Sequence, residues 1–187
     1  MNWCNASSKH TSQMATENNS DSNGCARPIQ VDVQVAADLS DGPEEADIRD
    51  WLEQVIAQVG PDTARSIEIS VRIVGEAEGR ALNKQFRAND SATNVLSFPL
   101  LDAGLADLPD EMPLALGDIV ICGPVVTREA SEQSKKCSDH WAHMLVHGAL
   151  HLFGYDHETD VQAQEMETLE IRILALGGVG NPYEPGK

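Results

Sequence analysis

Apolar and polar residues alternate through "PIQVDVQVA", with Ile29, Val31, Val33 and Val35 on one face and Gln30, Asp32 and Gln34 on the other. A period of two predicts a half-buried strand. The same alternation, in Ile67, Ile69, Val71 and Ile73 of "SIEISVRIVG", predicts a second. Between them Ile48, Trp51, Leu52, Val55, Ile56 and Val59 recur at helical spacing. Pro43 and acidic residues open that segment and Gly60 and Pro61 close it, which predicts an amphipathic helix. "EAEGRALNKQFR" predicts another helix, with Ala77, Leu82 and Phe86 turned inward. "TNVLSFP" is a short strand halted by Pro99, 100–115 is a loop, and "LGDIVIC" is a buried fourth strand. Three helices follow, in "VVTREASEQSKK", in "DHWAHMLVHGALHLF" with Ser138 as its N-cap, and in "DVQAQEMETLEIRILALGG", which ends on a glycine pair. The order βα, βα, β, β, ααα predicts an α+β (α/β-like) single domain. A small four-stranded mixed sheet packs against about five helices.

Composition narrows this picture. The chain has 187 residues, 41% of them hydrophobic, which suits one buried core. Residues 1–27 are rich in Ser, Asn and Thr and hold few large apolar groups, so they are expected to form a disordered extension ahead of a domain at 28–187. No run approaches the roughly 20 apolar residues of a membrane helix, and the start lacks the apolar stretch of a signal peptide. A cytoplasmic protein without membrane contact is expected. Cys4, Cys25, Cys122 and Cys137 include no C-x-x-C pair, so neither a zinc ribbon nor a disulfide framework is predicted. Cys122 reads as a core residue of a strand.

The formal net charge is −17, which by itself argues against a polyanionic partner, because phosphate binding draws on lysine and arginine. The distribution is uneven. Residues 65–87 alone invert the sign, with Arg65, Arg72, Arg80, Lys84 and Arg87 set against Glu68, Glu76 and Glu78. On charge alone this is a helix with a solvated face.

The candidate chemistry lies in "HGALHLFGYDH", residues 147–157. His147 and His151, four apart on a helix, can present two imidazoles to one ion. Gly154 can end the helix in a left-handed conformation and let the chain return His157 to the same point. Three protein ligands with a fourth position open is the arrangement of catalytic zinc, whereas structural zinc takes four. The spacing is that of a metalloprotease-like zinc helix, but the general-base glutamate of those peptidases is replaced by Gly148. His140 and His143, higher on the helix, read as hydrogen-bonded core residues. Asp156 can orient an imidazole, act in catalysis or hold a turn, and Asp118 reads as structural.

With "TNVLSFP", "LGDIVIC", "HWAHMLVHGALHLFGYDH" and "ALG" in the last helix, the chain resembles the bacterial YbeY endoribonucleases, or rRNA maturation factors, over about residues 28–183. The resemblance implies a zinc-dependent, single-strand-specific endoribonuclease that matures ribosomal RNA, especially the 3′ end of the small-subunit RNA, and takes part in ribosome quality control. It implies one Zn2+ per chain on His147, His151 and His157, with catalysis assigned to Arg87 and His147. The implied partners are single-stranded rRNA and small-subunit ribosomal components, with no DNA. Arg87, in "FRANDSATNVLSFP", matches the family's functionally important arginine, and its guanidinium can hold a scissile phosphate through paired hydrogen bonds. Two other readings stand beside this one. The chain could be a ribosome-assembly factor whose zinc is structural, which an acidic surface suits, or a metallopeptidase, against which Gly148 counts.

Overall fold

The computed structural model describes residues 29–37, 42–63, 65–100, 109 and 112–184. The expected extension over 1–27 lies outside the described residues. Chain order is β1 (Ile29–Val35), α1 (Glu45–Val59), β2 (Ile67–Val74), α2 (Glu76–Arg87), β3 (Val95–Pro99), β4 (Leu114–Cys122), α3 (Gly123–Glu132), α4 (Cys137–Leu152) and α5 (Asp160–Leu176). The α+β architecture with a four-stranded mixed sheet is therefore present as expected. Strand order is β1-β2-β4-β3, with β1, β2 and β4 parallel and β3 antiparallel at one edge. Parallel neighbours need a crossover, which α1 supplies between β1 and β2.

Alternation in the strands sorts side chains onto two faces. Ile69, Val71, Ile73, Val95, Ile119 and Ile121 join α1, α4 and α5 in the main core. Val74, Leu96, Val120 and Cys122 point to the other face, where α2 lies with Leu82. Burial raises the Cys122 thiol pKa, as suits a core residue. Helix α4 is apolar nearly all round, with Trp141, Ala142, Met144, Leu145, Val146, Ala149, Leu150 and Leu152 buried, as befits the helix at the centre of a layer.

Three local expectations are corrected. The inward face of α2 is Gly79, Leu82 and Asn83, while Ala77 and Phe86 are exposed. Cys122 and Val74 come so close that a Cβ at Gly79 would sit 3.2 Å from Cys122. Close backbone approach, not the largest apolar residues, chooses that face. Phe86 instead packs edge-on to Phe98 of β3 at 4.9 Å between ring centres. Ser138 lies inside α4, with Lys136 as its N-cap. Finally, β4 begins at Leu114, inside the expected loop, because Leu114 pairs with Ile67 of β2.

Candidate metal centre

The site is built on the C-terminal end of α4. Gly154 takes φ +84°, and its N–H donates to His151 O (3.0 Å) while the Tyr155 N–H donates to Leu150 O (3.2 Å). This paired cap satisfies the last carbonyls and reverses the chain. The reversal has two consequences. It brings the Tyr155 carbonyl to His151 Nδ1 at 2.9 Å, and it returns His157 to the helix end. Asp156 Oδ1 accepts the His157 N–H at 2.8 Å, so of its three readings the structure displays the turn.

The rings of His147, His151 and His157 converge, with centres 4.7, 5.5 and 5.2 Å apart. One nitrogen from each lies within 4.8 Å of the others. The hydrogen bonds constrain which of these nitrogens carry protons. A carbonyl only accepts, so His151 Nδ1 must donate to Tyr155 O, and neutral His151 then carries a bare lone pair on Nε2. His147 Nδ1 lies 2.7 Å from Glu170 Oε1, and donation to that carboxylate leaves its Nε2 bare as well. Those two Nε2 atoms are 3.1 Å apart. Two lone pairs facing each other repel unless a proton or a metal ion lies between them. A tetrahedral ion with metal–nitrogen bonds of ~2.0–2.1 Å separates its ligand nitrogens by about 3.3 Å. The donor set thus fits a divalent ion. Burial, then the neighbouring imidazoles of His147 and His157, push the His151 pKa down to about 4, which favours the neutral form, the one able to bind a metal.

No sequence motif points to Glu170. It stands on α5 and is wholly buried. Tyr183 donates its hydroxyl to Oε2, and His143 Nε2 lies 3.5 Å from the same oxygen. Burial alone would raise the pKa, but the imidazoles of His143 and His147 and the Tyr183 hydroxyl outweigh it and hold the carboxyl at about 2. A signal was visible in the sequence, since Met166, Glu170 and Ile173 recur at helical spacing and put a carboxylate in an otherwise apolar stripe.

His140 and His143 are both buried, but only His140 is hydrogen-bonded as expected; neither ring nitrogen of His143 has a hydrogen-bond partner among the described residues. His140 Nε2 is 2.9 Å from Glu129 Oε2, and the same carboxylate accepts from Asn94 Nδ2 at 3.1 Å. In β3 the Ser97 hydroxyl donates to Gly148 O at 2.9 Å. The polar members of "TNVLSFP" thereby fasten the edge strand to α3 and α4. Gly148 faces that strand. A Cβ there would lie 3.0 Å from Ile119 Cγ2 and 3.1 Å from Val95 Cγ2, so position 148 is directed at the sheet and not at the histidines.

Arg87 is the exposed last residue of α2, on the sheet face opposite α4, and among the described residues no contact joins it to the three histidines. Its neighbour Phe86 reaches the edge strand through Phe98. Of the basic stretch, Arg72 pairs with Glu78, and Arg80 and Lys84 both pair with Asp90. Among the described residues Arg87 is the one arginine whose guanidinium donates no hydrogen bond.

The sequence model of the family described as endoribonuclease YbeY matches residues 34–177. The chain belongs to this family. An endoribonuclease YbeY from Halorhodospira halophila is 55% identical over 143 residues, 76% of this chain and 88% of that protein. One from Pseudomonas putida strain W619 is 49% identical over 158 residues, 83% of this chain and 93% of that protein. A solution structure from Thermotoga maritima is 24% identical with a TM-score of 0.49, covering 84% of this chain and 99% of that one. The YbeY match spans β2 to α5 entire, and with them all three converging histidines. No helix among the described residues is long and apolar enough to cross a membrane.

Proposed function

We propose that the chain is a zinc-dependent endoribonuclease that cuts single-stranded RNA in the cytoplasm. Its substrate is ribosomal RNA, the 3′ end of the small-subunit RNA above all, and it works against small-subunit ribosomal components in maturation and quality control. The observation that carries this reading is the approach of His147 Nε2 and His151 Nε2 to 3.1 Å, with His157 converging on them, in a chain of the endoribonuclease YbeY family.

His147, His151 and His157 would hold the ion, leaving one position open to substrate or water. When bound, zinc supplies a Lewis acid for a phosphoryl oxygen and lowers the pKa of water. Everything else falls to the protein. The cap at Gly154 and the Glu170 carboxylate hold two imidazoles in the ligating tautomer. Arg87 holds the scissile phosphate, and that role is supported because no acceptor among the described residues competes for its guanidinium donors. RNA lying across the edge strand β3 would span from the end of α2 to the histidines, since β3 touches both Phe86 and Gly148. A peptidase reading is opposed by Gly148, where a general-base glutamate would be driven into Ile119 and Val95.

Metal analysis combined with cleavage of a single-stranded and a duplex RNA tests this. Wild type should contain zinc and cut only the single strand, while His147→Ala and Arg87→Ala should not cut efficiently. Cleavage that survives complete removal of metal would refute it.

A further inference from the structure

Glu170 presents an energetic problem that the three histidines alone do not explain. It is 0% exposed and lies on α5 among Met166, Ile173 and Leu174. A carboxylate in such surroundings is tolerated only when its charge is matched. Among the described residues no lysine or arginine pairs with it. Its neighbours are imidazole His147 Nδ1 at 2.7 Å, imidazole His143 Nε2 at 3.5 Å and the Tyr183 hydroxyl. His147 Nδ1 and the Tyr183 hydroxyl satisfy its oxygens, but no permanently charged cation among the described residues stands beside it. The compensating charge sits naturally on the far side of His147, where the bare Nε2 faces His151.

Tyr183 reaches Glu170 from beyond the end of α5. Gly178, at φ +78°, closes that helix with Val179 N–H on Leu174 O at 3.0 Å and Gly178 N–H on Ala175 O at 3.1 Å. The chain then doubles back. Lys135, just before α4, donates to the Pro182 carbonyl and ties this return segment down. The Tyr183 ring packs edge-on to His143 with centres 5.6 Å apart.

We propose that Tyr183 and Glu170 are positioning residues that lock His147 as an Nε2 ligand, so that metal affinity is set in part from the C-terminal segment 179–184, outside the histidine motif. The inference rests on the reading of His147, His151 and His157 as the metal ligands. Glu170 Oε1 takes the Nδ1 proton, and Tyr183 holds the other oxygen so that the carboxylate cannot rotate away. Without that acceptor, the imidazole is free to put its proton on Nε2, the atom that must ligate.

Glu170→Leu is the informative variant, because leucine has similar volume and joins an apolar stripe. Removing one partner of a buried polar cluster usually destabilises, because His147 Nδ1 and the Tyr183 hydroxyl lose their acceptor, so the fold of Glu170→Leu is checked first by denaturant unfolding. In a variant shown to be folded, a merely structural glutamate would leave zinc affinity unchanged. Zinc affinity, read by competition with a chromogenic chelator, should fall about 100-fold in Glu170→Leu and about tenfold in Glu170→Gln. Tyr183→Phe should cost about tenfold in the wild-type background and nothing further in Glu170→Leu, as expected for two residues acting through one ligand. Tyr183 is 46% exposed, so its substitution decides the matter even if Glu170→Leu folds poorly. Affinities within about twofold of wild type in Tyr183→Phe and Glu170→Leu would overturn the proposal, the expected losses being at least fivefold larger. Imidazole nitrogen spectra of the metal-free full-length chain separate the two levels of the argument. They should show His147 protonated on Nδ1 in wild type and on Nε2 in Glu170→Leu. The same tautomer in both also overturns it, whereas a wild-type chain that takes no zinc but shows the tautomer switch removes the metal reading and leaves the positioning contact standing.

Discussion

His147 and His151 face each other Nε2 to Nε2 at 3.1 Å, while each commits its Nδ1 to an acceptor, Glu170 in one case and the Tyr155 carbonyl in the other. Both acceptors are rigidly held, one by burial on α5 and one by the helix cap. The two imidazoles are therefore preorganised by a carboxylate and a backbone carbonyl.

Purified protein should hold about one divalent ion per chain, and His151→Ala should lose most of it, because two imidazoles cannot enclose the ion. His143→Ala should keep the stoichiometry. Metal content unchanged in His151→Ala, measured by elemental analysis, would remove the assignment.

Arg87→Ala should retain fold and zinc and lose roughly 100-fold in RNA cleavage rate, the usual cost of one preorganised donor. Arg87→Lys should recover only part, since lysine lacks the planar pair of donors. Single-turnover cleavage at the wild-type rate in Arg87→Ala, with His147→Ala inactive, would make Arg87 an ordinary surface residue.

Introducing the peptidase glutamate should not create a peptidase. Gly148→Glu puts a long charged side chain against Ile119 and Val95, at a point where even a Cβ is 3.0 Å from its neighbour. The expected cost is more than about 3 kcal/mol by overpacking and burial of charge. Denaturant unfolding reads the first part and peptide hydrolysis the second; a stable variant that cleaves casein contradicts both.

Acid should weaken the metal-free protein in two phases. The His151 pKa is depressed from 6.5 to about 4 on folding, so its contribution is intact above pH 6.5 and declines as pH falls through about 4. That of Glu170 is depressed from 4.5 to about 2, so its contribution is intact above pH 4.5 and is lost as pH falls through about 2. Melting temperature followed against pH in chelator should show the first phase in wild type and not in His151→Gln. Superimposable profiles between pH 6.5 and 4 would count decisively against it.

RNA affinity should depend only weakly on salt. Arg72, Arg80 and Lys84 are committed to Glu78 and Asp90, leaving few groups to displace counterions. A log–log slope of about −1 to −2 is expected from one to three phosphate contacts on a single strand. A much steeper slope in a titration would require basic contacts that the described surface does not offer.

Periodicity by itself determined the order of nine elements and the stretch from His147 to His157, because these rest on contacts between near neighbours in sequence, and the alternation of strands and helices implied the mixed sheet although its pairings, such as Ile67 with Leu114, are distant in sequence. Even the return of His157 was legible, since only a glycine such as Gly154 takes φ +84° without strain. Tertiary structure decided the rest. Glu170 meets His147 across 23 residues of sequence, and Tyr183 meets Glu170 only because α5 is capped at Gly178 and the chain turns back. The inward face of α2 went to Gly79, Leu82 and Asn83, not to Ala77 and Phe86, because the sheet comes close at Gly79 and the Asn83 amide finds the Ser91 carbonyl as acceptor. Gly148 could be seen in the sequence as a missing glutamate, but only the packing of α4 on β3 and β4 shows that its Cβ direction enters the sheet. Local patterns report which face of an element is apolar; how closely that face approaches its neighbour, and which distant polar group it meets there, is settled only when the layers pack.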